Sequence, residues 1–145
     1  MSTFESDESS FQEGLSAYKR EDYVSAFKVF RPLAEQGHIG AQSCLGSLYL
    51  RGFGVLQDET EAFKWYREAA EQGDANAQNT LGLMYEDGEG VPRDYKEAVK
   101  WVRKAANQGD ANAQNTLGVM YDIGEVVPRD DKESSLWYRK SAEQG

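Results

Sequence analysis

Glycine returns every 36 residues, at Gly37, Gly73, Gly109 and Gly145, and other residues return in step with it. Ala41, Ala77 and Ala113 follow at the same spacing, then the pairs Leu45-Gly46, Leu81-Gly82 and Leu117-Gly118. Tyr49, Tyr85 and Tyr121 come next, and Trp65, Trp101 and Trp137 after them. The stretch from Gln72 to Gly82 reappears from Gln108 to Gly118. A period of this length means supersecondary units that cannot bury their own apolar faces and are stable only when stacked.

Each unit reads as two helices. Ala77, Leu81, Met84 and Tyr85 are spaced four, three and one apart, which places them on one helical stripe. Ala98, Trp101, Val102 and Ala105 make a second stripe. The small residues Gly82, Ala77, Ala105 and Ala106 let the paired helices approach closely, while Tyr85 and Trp101 fill space between units. Asp74 and Asp110 are N-cap candidates for the first helices. Asp58 with Glu61, Asp94 with Glu97 and Asp130 with Glu133 have capping-box spacing at the start of the second helices. Gly88 and Gly109 stand where a left-handed residue ends a helix. Pro92 and Pro128 fall in connecting loops. Phe11, Gly14, Tyr18, Tyr23, Ala26, Phe30 and Ala34 follow the same logic with a tighter turn at Lys19–Asp22. The expected architecture is one all-α domain over 9–145, built from helix pairs at 9–36, 38–72, 74–108 and 110–145 after an acidic, disordered start at 1–8.

The string from Ala77 to Asp94, continued by Ala98, Trp101, Ala105 and Ala106, resembles the Sel-one-like repeat, a relative of the tetratricopeptide repeat. The resemblance covers residues 38–145, and the opening pair looks like a tetratricopeptide-type first hairpin. It implies a right-handed α-α superhelix (solenoid) with a concave groove, and membership of a family made up mostly of adaptors that assemble or tether other proteins. Two departures stand out. Val126 replaces the loop glycine found at Gly54 and Gly90. In the last helix Ser134, Ser135 and Ser141 replace Ala98, Val99 and Ala105, as a polar terminal cap would require.

In such repeats the first helix of each pair lines the groove. With Leu81, Met84 and Tyr85 turned inward, the opposite stripe is Asn76, Asn79, Leu83, Glu86 and Asp87. Its counterparts are Asn112, Asn115, Val119, Asp122 and Ile123 one period later, and Ser43, Ser47, Leu50 and Arg51 one period earlier. The expected partner surface is therefore an asparagine ladder with an apolar strip at Leu50, Leu83 and Val119 and acid at Glu86, Asp87 and Asp122. Asparagine amides both donate and accept, which suits a peptide backbone. The partner is expected to be a protein or peptide. A weak homo-oligomer through Leu136, Trp137 and Tyr138 on the last helix is the structural alternative.

Other chemistry finds little support in the residues. A net charge of −9 and a pI near 4.6 argue against nucleic acid and anionic membrane surfaces, which call for clustered Lys and Arg. No apolar run approaches the length of a membrane span. His38, the one histidine, sits at a helix start, and Cys44, the one cysteine, takes a small inward position matched by Thr80 and Thr116. They supply neither a zinc ligand set nor a catalytic dyad. The loop Glu86, Asp87, Glu89 and Asp94 lacks the alternating oxygen ligands of a calcium loop. Hence no metal and no cofactor is expected. Ser16-x-x-Lys19 and Ser25-x-x-Lys28 match the S-x-x-K spacing of serine acylases, and some cysteine-rich members of the resembled family have been linked to β-lactam binding. However, the chain has neither the Ser-Asp-Asn nor the Lys-Thr-Gly partner motif, nor the cysteine pairs of those members, so the scaffold ranks above the enzyme. The first ten residues, MSTFESDESS, lack a basic start and an apolar stretch. No secretory leader is read there and the expected location is cytoplasmic. A secreted chain trimmed of its leader would read the same way.

Overall fold

The computed structural model describes residues 3–144, with side chains from Glu5 onward. Met1, Ser2 and Gly145 lie outside the described residues. Eight α-helices and no strand are found among the described residues: α1 (Thr3–Lys19), α2 (Tyr23–Glu35), α3 (Ile39–Arg51), α4 (Glu59–Glu71), α5 (Ala75–Asp87), α6 (Tyr95–Asn107), α7 (Ala111–Ile123) and α8 (Asp131–Ala142). They form consecutive pairs, as the period predicts. The chain divides into two compact units: unit 1 is Met1–Gln72 and unit 2 is Gly73–Gly145. A difference from the sequence reading lies at the start, where α1 begins at Thr3 and residues 3–8 are helical instead of disordered. Early acids suit a helix N-terminus. The Glu8 carboxylate also accepts from Gln12 at 3.1 Å and lies 3.6 Å from the His38 ring nitrogen Nε2.

Within unit 1, α1 packs on α2, α2 on α3 and α3 on α4. The core they share includes Ala26, Phe30, Leu33, Ala41, Leu45 and Leu48. In unit 2, α5 packs on α6, α6 on α7 and α7 on α8, and α5 also touches α7. Its core includes Val102, Ala105, Ala106, Leu117, Met120 and Trp137. Small residues set the spacing. At Gly82 an added Cβ would lie 2.6 Å from Val102 Cγ2 and 2.8 Å from the Ala98 carbonyl oxygen, so α6 runs directly against the α5 backbone.

The first helices are capped as the sequence indicates. The carboxylates of Asp74 and Asp110 accept from the Ala77 and Ala113 amides at 2.8 Å, and His38 Nδ1 accepts from the Ala41 amide at 3.1 Å. The second helices differ in one respect from the capping boxes read in the sequence. Asp58, Asp94 and Asp130 do cap them. Their backbone amides, which the Glu would bond in a capping box, instead donate to the carbonyls of Tyr49, Tyr85 and Tyr121. Glu97 and Glu133 are thereby released to accept from the indoles of Trp101 and Trp137 at 3.1 and 3.2 Å.

Gly54 and Gly90 both have φ 72°, a left-handed conformation costly to any β-branched residue. Val126 keeps a negative φ, so the last loop takes another path at that residue. The serines of α8 form an outer cap only in part. Ser134 is buried and donates to the Gly118 carbonyl at 3.0 Å, Ser141 donates to the Ala111 carbonyl at 2.9 Å, and Ser135 alone is exposed. Two of the three thus tie α8 to α7.

A glutamine network, not anticipated from the sequence, joins the pairs. In unit 1 the Gln72 amide donates to Gln42 Oε1 at 2.8 Å, and Gln42 donates to the Ala34 carbonyl at 3.2 Å. In unit 2 Gln144, Gln114 and the Ala106 carbonyl repeat that chain at 2.7 and 3.2 Å. Gln42 and Gln114 are buried, so each satisfied amide fixes the register of three helices.

Candidate partner-binding surface

The residues at 76, 79, 83 and 86 of α5 and at 112, 115, 119 and 122 of α7 fall three and four apart, forming one stripe per helix. The structure exposes Asn76, Asn112, Asn115 and Asp122. It leaves Leu83, Glu86 and Val119 half-buried. In unit 1, Ser47 and Leu50 are half-buried on α3. Two residues depart from the expected ladder: Ser43 and Asn79 are each only 8% exposed and do not line a surface. For Asn79 the reason lies within unit 2. Helix α7 packs beside α5, whereas α7 has no such neighbour on its far side among the described residues, so the counterpart Asn115 stays open.

On α7 the stripe sets two free amides beside an apolar patch. The side chains of Asn112 and Asn115 make no hydrogen bond to a described residue. Asn79 Oδ1 is buried without a partner, a state that costs about 1–3 kcal/mol unless a donor reaches it. Ser47 is partly engaged already, since its hydroxyl hydrogen-bonds to Tyr66, whose phenol burial pushes up to about 12. At the end of α5, burial raises the Glu86 carboxyl above its ordinary range, and the nearby Asp87 and Glu125 carboxylates add to this. The Tyr95 hydroxyl donates to Glu125 at 3.0 Å, and that bond raises the phenol in turn. A positive group arriving here would relieve this crowding.

The groups considered for other chemistry are occupied locally. His38 Nδ1 serves as a helix cap, and Cys44 packs against the unit 1 core. The Ser25 hydroxyl bonds to the Asp22 carboxylate, which holds that acid below its usual value. Among the described residues, no group of three or more His, Cys, Asp or Glu side chains is placed to hold a metal ion, and no helix is long and apolar enough to cross a membrane. Sequence reasoning missed the setting of Trp65. It treated the three tryptophans as equivalent, although the residue three places on is Glu68 in one repeat and Lys104 or Lys140 in the others.

Comparison with known proteins agrees with this architecture. The Sel1 repeat model matches at residues 10–38, 40–74, 75–110 and 111–145, so the opening pair is itself such a repeat rather than a tetratricopeptide-type hairpin. No curated protein matches the chain significantly. Among solved structures, the chain is similar to a protective antigen present in uropathogenic Escherichia coli strains that displays an SLR fold, at 40% identity and a TM-score of 0.88, over 96% of this chain and 31% of that one. It is also similar to a Sel1 repeat protein from Oxalobacter formigenes, at 40% identity and a TM-score of 0.86, over 94% of this chain and 54% of that one. The chain therefore spans about a third and about half the length of these two relatives. Helicobacter pylori cysteine rich protein B shares the fold at 22% identity and a TM-score of 0.61, over 80% of this chain and 98% of that one. With four matches in register along an all-α series of helix pairs, the chain belongs to the Sel1 repeat family.

Proposed function

We propose that the chain is a protein-interaction scaffold and that unit 2 holds an extended segment of a partner protein along α5 and α7. Membership of a family whose proteins are typically interaction scaffolds supports the first half of this reading. The second half rests on one observation: Asn112 and Asn115 are exposed amides without side-chain partners on the α7 stripe, set among the half-buried Leu83 and Val119. Amides of this kind can pair with a backbone N–H and C=O together, while the apolar patches accept a side chain between them. Asp122 and Glu86 favour a basic residue at one end of the segment. Ser47 and Leu50 hold the same register on α3 of unit 1.

Replacing Asn112 and Asn115 together with tyrosine is expected to abolish capture of the partner from a lysate of the source cell, with helix content by circular dichroism unchanged. Both side chains are exposed and unbonded, so the double variant should fold as the parent does. An identical set of captured proteins from parent and variant would refute the assignment of this stripe.

A further inference from the structure

The three repeat tryptophans do not have the same surroundings. Trp101 donates to Glu97, with Lys100 and Lys104 ammonium groups 5.2 and 4.7 Å from its ring centroid. Trp137 donates to Glu133, with Lys140 4.5 Å from its centroid. These two indoles are 7% and 6% exposed. Trp65 on α4 is more open. Its N–H bonds no described residue and no described cation lies over its ring. The cause is local. Glu61, which stands where Glu97 and Glu133 stand, turns to Lys64 at 3.2 Å. The residue that would cover the ring is Glu68 instead of a lysine.

Trp65 borders an open groove of about 720 Å³ within unit 1, together with Phe63, Glu35 and Glu68. The Glu68 carboxylate has no partner among the described residues, and Glu35 keeps one oxygen clear of its pair with Arg31. Two cations also line the groove, but Lys64 is held by Glu61 and Arg67 by Glu71 at 2.9 Å. What remains is an open aromatic face, a free indole donor and an unmatched carboxylate, in a chain of net charge −9. An aromatic face beside a carboxylate attracts an organic cation by quadrupole and by charge.

We propose that Trp65 and Glu68 form a second contact site that receives a lysine or arginine side chain of a partner protein, in the place that Lys104 and Lys140 fill within their own repeats. This site lies on α4 of unit 1 and does not depend on the α5 and α7 stripe, so either assignment can fail alone.

The test uses the whole chain labelled with nitrogen-15 and n-butylguanidinium as the probe, with n-butylurea as its neutral counterpart. The Trp65 indole N–H resonance is expected to shift saturably with the guanidinium, while those of Trp101 and Trp137 stay in place. Glu68→Lys supplies the covering cation from within the repeat, at an exposed position that leaves the fold intact, and should weaken the probe about tenfold or more. The proposal is overturned if the three indoles shift alike, if the urea moves Trp65 as far as the guanidinium does, or if Glu68→Lys binds as the parent does.

Discussion

Phe30→Ala is expected to lower the unfolding free energy by about 3–5 kcal/mol, the range found when a fully buried aromatic is truncated. Phe30 is 0% exposed, and its ring lies 5.7 Å from that of Phe11 between centroids. The backbone of α1 rests on it so closely that a Cβ at Gly14 would stand 2.5 Å from Phe30 Cε1. Ala17, Ala26 and Ala34, which share its core, carry single methyl groups and cannot fill the void. A loss of that size is a large part of the stability of an ordinary domain. Urea unfolding followed by circular dichroism measures it, and hydrogen exchange should show amide protection falling first in α1 and α2. A loss below about 1 kcal/mol would mean that Phe30 is not the keystone of unit 1.

The second large effect concerns a repeated glycine whose surroundings differ between copies. Gly82→Ala forces a methyl group against Val102, which is fully buried, and against the Ala98 carbonyl oxygen, which belongs to the backbone of α6. Neither can retreat without moving the helix, and overpacking of this kind costs about 1–3 kcal/mol. Alanine's better helix propensity returns about 1 kcal/mol at most. Gly118→Ala meets the Tyr138 ring at 2.9 Å instead, and Tyr138 is half-buried and free to tilt. The expected order is therefore a clear fall in urea midpoint for Gly82→Ala and little change for Gly118→Ala. Equal effects at the two glycines would contradict the contact geometry.

Much of this fold is legible in the sequence because a repeat states its rules three times. The caps at Asp74, Asp94 and Asp110 and the αL glycine at Gly88 all lie where spacing and turn chemistry put them. The misses have physical causes. Composition alone makes residues 3–8 a disordered start, yet Glu8 finds partners in Gln12 and His38 that composition does not reveal. The capping boxes are only half made, because the tyrosine carbonyls that occupy the aspartate amides come from another helix. The glutamine chain joins residues 30 apart, a pairing that no periodicity argument contains. The partner surface was legible only as a stripe. Helical spacing places Asn79 and Asn115 alike, but burial depends on what packs beside each helix, and beyond α7 no further first helix follows among the described residues. Trp65 shows the opposite failure. Its difference from Trp101 and Trp137 is printed in the sequence as Glu68, and it gains meaning only once lysines are seen lying over the other two rings.

The scaffold reading is tested most directly by photo-crosslinking in the source cell. A benzophenone amino acid is placed at Ile123, an exposed residue at the end of the α7 stripe, and in a separate chain at Lys96, an exposed residue of α6 outside it. A discrete adduct of one partner is expected from the Ile123 position, identified by mass spectrometry, and none from Lys96. The same adducts from both positions, or none from Ile123, would contradict the scaffold reading.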